Sequence, residues 1–331
     1  MLLYEKILNK IRNKFQNKNI IITNSKNIQW LSGKVDNFGI IVITKDNQYV
    51  FTTEGFAPRF NNKIYEIITF EKLNSEKIKE KPLKMILNYL KIKNVVSDIK
   101  YKNIKNVSQE ILKLRSIKFE EEIKLLKKAR EITEKSINYV IKNIYEGIKE
   151  IEIAGLLEMK MRKLGAECFS FNTIVASGKN SFLTHTTPTN KKLNKNDIIL
   201  IDAGAVYSGY SADITRTICF GENKEFERIN QTLQEINKNI LEKIKVGVKI
   251  KYIDNFYKNS LLKLNFKYLH GVCHGIGVDV HEHPSIFSND KFEEGNVFTI
   301  EPGIYIQNKF GVRFEDMYYI NKRGECTCLN K

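Results

Sequence analysis

Cysteine, proline, histidine and tryptophan are scarce: the 331 residues hold five, five, five and one. An odd set of cysteines, Cys168, Cys219, Cys273, Cys326 and Cys328, does not describe a disulfide framework, and a reduced cytoplasmic chain is expected. Cys326 and Cys328 stand C-x-C without further ligands nearby, so no tail metal site is expected. Long apolar runs are also lacking. A stretch such as IILIDAGAV, from Ile198 to Val206, is far too short to span a bilayer, so no membrane partner is expected. The opening MLLYEKILNK carries charges and no secretory pattern. No glycine-rich phosphate loop, GxSxG elbow or HExxH helix occurs. Pro284 follows His281-Glu282-His283 at once, which breaks any helical zinc motif there.

What is present begins with a core. Apolar residues make up 42% and charged residues 28%, enough for a folded chain with room for two domains. The formal charge is +16, from 54 Lys and Arg against 38 Asp and Glu. Residues 1–110 contribute +10 of it, with 20 basic and 10 acidic residues. Most of this charge is lysine scattered among Asn and Ile rather than Arg-rich blocks. A solvated basic surface is therefore expected, and a nucleic-acid partner is not.

Residues 1–112 alternate short apolar runs with polar turns. The periodicity predicts a helix over Met1–Phe15, strands over Ile20–Thr23, Gly39–Thr44 and Gln48–Thr52, a helix over Leu83–Leu90 and a strand over Asn94–Ser97. Lys45, Asp46 and Asn47 supply a hairpin turn. This is a small α/β domain, without histidine. Residues 113–331 form the second domain. Helices are predicted over Ser116–Asn143, Glu150–Leu164, Glu225–Ile244 and Ile250–Leu264. Strands are predicted over Phe171–Ala176, Asp197–Asp202, Ala212–Phe220, Asn296–Ile300 and Arg313–Ile320. Helix pairs followed by strands, twice over, hint at an internal duplication.

Chemistry concentrates in this second domain. All five histidines lie there: His185, His270, His274, His281 and His283. Four carboxylates sit in apolar surroundings. Asp202 and Glu301 end strand-like runs, Asp213 opens one, and Glu315 lies in GVRFEDMYYI. A buried carboxylate is costly unless paired, protonated or bound to metal. Four of them with an imidazole suit divalent Mn, Co, Fe or Zn, and two shared cations suit hydrolysis. The competing reading is ion pairing, Asp213 with Arg216 and Glu315 with Arg313.

Four strings carry a resemblance: IDAGAVYSGYSADITRT, HGVCHGIGVDVHEHP, TIEPGIY and GVRFED, in that order. The chain resembles the Xaa-Pro peptidases of the pita-bread fold, aminopeptidase P and prolidase, which are related to methionine aminopeptidase and creatinase. The match is strong over residues 112–323 and looser before them. It implies an α/β (α+β) architecture: a catalytic domain with pseudo-twofold duplicated halves, preceded by a creatinase/prolidase-type N-terminal domain. Carried over by motif, Asp202 binds one metal, Asp213 and Glu315 bridge, and His274 and Glu301 bind the second. Manganese is the first choice, with cobalt, zinc or iron as alternatives. The resemblance also implies that His185, His270 and His281 face the substrate and that Arg313 orients the ligands. Glu301 relays a proton and His281 meets the substrate carbonyl or its tetrahedral intermediate.

Proline-containing peptides are the implied substrates and a homodimer the implied assembly. The first expectation is an Xaa-Pro aminopeptidase, the alternative an Xaa-Pro dipeptidase. An alternative of another class is a non-catalytic scaffold that binds peptide or nucleic acid. Cys273 stands where a small residue is expected and reads as a buried inert thiol. His283 reads as a pocket-rim residue. Trp30, in NIQWLSGKVDN, resembles part of a pocket-lining loop; otherwise it anchors the core of the small domain.

Overall fold

The computed structural model describes residues 3–73 and 82–330, and the chain divides into two compact units, Met1–Arg115 and Ser116–Lys331. Met1, Leu2 and Lys331, which belong to expected elements or domain ends, lie outside the described residues.

The first unit is built on a six-stranded mixed sheet in the order Glu66–Thr69, Gln48–Thr52, Ile40–Ile43, Asn19–Ile22, Val95–Ser97, Lys105–Asn106. Ile20–Ile22 pair with Ile41–Ile43, so β-branched side chains stack across the register and fill a dry interior. The turn over residues 45–47 is closed by Thr44, whose backbone N–H donates to the Asn47 carbonyl at 2.8 Å. Helices Leu3–Lys14, Ser25–Ser32 and Pro82–Leu90 accompany the sheet. Trp30 is 1% exposed and lies on the helix Ser25–Ser32, capped by Asn24 and ended by Gly33 at φ +68°. It anchors this unit's core and is not part of a loop.

The expected Ser116–Asn143 helix forms over Glu120–Ile141, and a separate helix, Ser108–Ser116, precedes it. Residues 117–119 between them are held extended by long-range bonding. Ile117 bridges Asn296, and the Lys118 N–H donates to the Gly295 carbonyl at 2.9 Å. Glu122 then caps the second helix by accepting from the Phe119 N–H at 2.8 Å.

Ser116–Lys331 repeats itself at an offset of 100 residues. Helix Glu120–Ile141 is followed by Glu150–Lys163, and Lys224–Leu241 by Ile250–Lys263. Gly147 and Gly247 both have positive φ. Their N–H groups donate to Leu193 and Phe292, at 2.8 Å in each case. Lys149 then bridges Lys192 while Lys249 bridges Lys291. Each second helix ends on a residue of positive φ, Gly165 or Asn265. Each half carries its own apolar core. One gathers Ile153, Leu157, Met161 and Ile201; the other gathers Ile253, Tyr257, Leu261 and Ile300. A fully buried aliphatic side chain contributes about 1.5–3 kcal/mol, so these positions hold the helices against the strands.

The strands follow the same doubling. In the first half Ile174–Ser177, Ile198–Ala203 and Ile214–Cys219 form an antiparallel sheet. In the second, Val297–Ile300 lies between His274–Gly275 and Asp316–Ile320 in a five-stranded sheet. The expected strand Arg313–Ile320 is two, Phe310–Arg313 and Asp316–Ile320, in different sheets. The chain changes sheet at Phe314 and Glu315.

Candidate metal centre

Each half delivers a pair of carboxylates from neighbouring strands. Asp202 lies in Ile198–Ala203, its Cα paired with that of Thr215, and Asp213 immediately precedes Ile214–Cys219. Glu301 immediately follows Val297–Ile300, and Glu315 immediately precedes Asp316–Ile320. Pairing of Ile300 with Asp316 sets those two glutamates side by side. His274 comes from the short adjoining strand.

These side chains converge. His274 Nε2 stands 3.6 Å from Asp213 Oδ2, 3.7 Å from Glu301 Oε1 and 3.8 Å from Glu315 Oε1. One ligand atom from each of Asp213, His274 and Glu315 falls within 4.8 Å of the others, so these three can hold a divalent cation. The imidazole is presented for ligation: Nδ1 lies 3.1 Å from the Gly275 carbonyl, and donation there leaves the Nε2 lone pair facing the carboxylates. Burial, then neighbouring His281, lowers the His274 pKa to about 3, which keeps the ring neutral.

The carboxylates pull the other way. Burial and then the charge of Asp202 push Glu315 up to about 7. Burial and then the charge of Glu315 raise both Asp213 and Glu301 well above the usual carboxylate range. Asp202 Oδ1, Asp213 Oδ1 and Glu315 Oε1 are buried and accept no hydrogen bond. Buried oxygens in that state are explained by a cation, which all of these oxygen donors and the neutral imidazole suit.

Arg313 ties the two halves of the cluster together. Its Nη2 donates to Asp202 Oδ2 at 2.6 Å, its Nε to Thr215 Oγ1 at 3.1 Å and its Nη1 to Tyr305 Oη at 2.9 Å. Thr215 Oγ1 in turn donates to Glu315 Oε2 at 2.9 Å. The ion pairs of the competing reading, Arg313 with Glu315 and Arg216 with Asp213, are replaced by others. Arg313 pairs with Asp202, and Arg216 with Asp316 at 2.8 Å and Glu134 at 3.4 Å.

The remaining histidines border the cluster. His281 packs against His274 with ring centroids 4.3 Å apart. His270 Nε2 lies 2.9 Å from Tyr305 Oη, and its Nδ1 lies 3.6 Å from Glu301 Oε2. Burial and then the charge of Arg313 lower its pKa to about 4. His185 is exposed and acts electrostatically on both His270 and His281. His283 turns away to Asp290, and Cys273 is buried with a thiol pKa raised well above its usual value by burial. Tyr305 and Thr215 are site residues that sequence reasoning missed. The only signal for Thr215 was its place between Asp213 and Arg216 on a strand of period two.

A metal-binding arrangement of this kind has relatives. Residues 124–322 match the family model described as metallopeptidase family M24. The chain belongs to metallopeptidase family M24. Its fold is the pita-bread fold of the family's Xaa-Pro peptidases, with mixed α/β architecture. It is 34% identical over 326 residues to an Xaa-Pro dipeptidase of Pyrococcus horikoshii, covering 94% of this chain and 93% of that one. Among solved structures it is similar to an X-Pro aminopeptidase from Thermotoga maritima, with 30% identity, a TM-score of 0.87 and coverage of 99% and 97%. An Xaa-Pro dipeptidase from Bacillus anthracis gives the same TM-score at 28% identity, with coverage of 99% and 98%. In this M24 chain no helix among the described residues is long and apolar enough to cross a membrane.

Proposed function

We propose that this M24 chain hydrolyses the peptide bond preceding proline with two divalent cations held by Asp202, Asp213, His274, Glu301 and Glu315, manganese being the first choice. The observation that carries the reading is the set of buried, unbonded oxygens on Asp202, Asp213 and Glu315, the carboxylates of the last two lying 3.6 and 3.8 Å from His274 Nε2. Asp213 and Glu315, whose carboxylates lie 3.6 and 3.8 Å from His274 Nε2, would hold the cations together with that imidazole. Bound cations would supply water acidified to near-neutral pKa and charge stabilisation at the scissile carbonyl.

The chain's own groups complete the chemistry. Glu301, at the edge of the cluster with its proton affinity raised, takes a proton from the attacking water and passes it to the leaving amine. His281 donates to the carbonyl oxygen as negative charge develops there. His185 and His270 border the substrate, and Arg313 keeps Asp202 from turning away. Proline lacks an amide N–H and has a fixed ring, so a pocket can select it by shape.

The sequence expectation puts an aminopeptidase first, and the relatives give better support to its alternative. The Pyrococcus relative, the more similar in sequence, is named an Xaa-Pro dipeptidase, as is the Bacillus structure. We therefore read the chain as an Xaa-Pro dipeptidase. The Thermotoga structure, equal in TM-score, supports the aminopeptidase reading. Purified protein loaded separately with manganese, cobalt, zinc or iron, and offered Xaa-Pro and Xaa-Pro-Yaa, decides between them. Cleavage of the dipeptide alone fits the dipeptidase, and comparable cleavage of the tripeptide fits the aminopeptidase. No cleavage with any metal, joined to salt-sensitive nucleic-acid binding, fits a scaffold. A 1–112 N-terminal domain, a 113–331 catalytic domain, a homodimer and a cytoplasmic location belong to the same reading, and light scattering tests the dimer.

A further inference from the structure

Lys118 Nζ donates to Glu282 Oε1 at 2.6 Å, and both side chains are about 1% exposed. Lysine and glutamate are rarely buried to this degree. The chemistry proposed above does not use them.

The pair joins two segments remote in sequence. Lys118 belongs to the short extended piece before helix Glu120–Ile141, and that piece is held in place at three points. Its own N–H donates to the Gly295 carbonyl, Ile117 bridges Asn296, and Asn296 Nδ2 donates to the Ser116 carbonyl at 3.1 Å. Glu282 opens the strand Glu282–Ser285 and directly follows His281. From His281, just before this strand, burial alternates into it: His281 exposed, Glu282 buried, His283 half-buried, Pro284 buried. Successive side chains of an extended segment point to opposite faces. Holding Glu282 inward therefore holds His281 outward, where its ring meets His274.

The other limb of the loop is held by the same carboxylate. A Cβ on Gly277 would lie 2.2 Å from Glu282 Oε1, so the carboxylate lies directly against that α-carbon. Gly277 is fixed in turn through its carbonyl, which accepts from the Ser211 N–H at 2.8 Å. The segment running from Gly277 to Glu282, which carries His281, is thus referred at both ends to one anchored carboxylate. A buried ion pair adds little stability over an apolar pair of similar volume; what it supplies is a defined direction.

We propose that Lys118, through its buried ion pair with Glu282, is a positioning residue that sets the His281 ring against His274. The role of His281 toward substrate rests on the function proposed above; its placement by Lys118 does not.

Three variants test this: Lys118→Met, Lys118→Arg, and the double variant Lys118→Met with Glu282→Leu, which replaces the ion pair by apolar side chains and keeps the fold testable should Lys118→Met alone not fold. Proton–nitrogen NMR of the His281 ring, in protein loaded with manganese's diamagnetic substitute zinc, reads position without substrate. Kinetics on the wild type's best Xaa-Pro substrate and metal analysis accompany it. The expected result is a displaced His281 signal and at least a tenfold fall in kcat in the double variant. KM should change less than twofold, with metal content unchanged and recovery by Lys118→Arg. A double variant with unmoved His281 resonances and wild-type kcat would overturn the proposal, since the pair would then be structural only. If the wild type cleaves no proline peptide, the functional reading fails while the NMR comparison still decides the placement.

Discussion

Arg313 and Asp202 are joined by a 2.6 Å ion pair in which both side chains are buried. The same guanidinium reaches Glu315 through Thr215, so one cation braces an acid from each duplicated half. The planar fork donates to Thr215, Tyr305 and Asp202 from three separate nitrogens, a spread that the single nitrogen of an ammonium does not cover. Arg313→Lys is expected to weaken manganese binding about 10–100-fold, the range for loss of a group that orients a ligand. Calorimetric titration checks this, and unchanged affinity would remove Arg313 from the account.

Raised carboxylate pKa values make the metal-free protein pH-sensitive. Burial first, then mutual repulsion, lifts Glu315 to about 7 and raises Asp213 and Glu301. A carboxyl whose pKa is higher when folded stabilises the fold below its unfolded pKa. That contribution is lost as pH rises through the folded value. The metal-free protein is thus expected to melt at lower temperature at pH 8 than at pH 5.5. Protons also compete with the cation, so affinity rises across pH 7. Calorimetric scans with and without manganese should show the gap in Tm widening with pH.

Gly204 lies between the two aspartates of the first half, and a Cβ there would lie 1.9 Å from the Ala212 carbonyl oxygen. Backbone cannot yield as a flexible side chain can. Gly204→Ala is expected to cost about 1–3 kcal/mol, as overpacking does. It should also lower metal content, because the distortion falls between Asp202 and Asp213. Thermal melts with elemental analysis check both effects.

Glu150 supports the segment that carries His185. One carboxylate accepts from the Ser177 N–H at 2.7 Å and the Ser177 hydroxyl at 2.8 Å, from Asn180 Nδ2, and from the Thr189 N–H and hydroxyl at 3.1 and 2.6 Å. Residues 177 and 189 are therefore held at one point, with His185 between them. Glu150→Ala leaves buried donors unpaired, at about 1–3 kcal/mol each. It is expected to lower kcat/KM roughly tenfold with metal content intact, as measured by steady-state kinetics and elemental analysis. Unchanged kcat/KM would separate His185 from the reaction.

The parts of this site that were legible in the sequence are those in which one local pattern breaks another. Asp202 and Glu301 end apolar runs and stand out locally, whereas His274 was told apart from His270 and His281 only by the family resemblance. The braces were not legible, because they depend on pairing across long separations. Nothing near Lys118 foretells Glu282, and nothing in GVRFED tells Arg313 to choose Asp202 over Glu315. The chain's change of sheet at Phe314 and Glu315 was hidden for a related reason. Val312, Phe314 and Met317 keep a strand-like look on both sides although Arg313, Glu315 and Asp316 interrupt it, so the stretch reads as one strand. Helix Ser25–Ser32 was hidden by its length, since eight residues give too few turns for a clear period.

Convergence of five side chains on two cations is the central claim, and diffraction from a manganese-soaked crystal tests it most directly. The account predicts two anomalous peaks per chain about 3.5–4 Å apart, the spacing of paired catalytic cations. Asp213 and Glu315 should each contact both peaks. A single peak, or a pair not shared by Asp213 and Glu315, would contradict it.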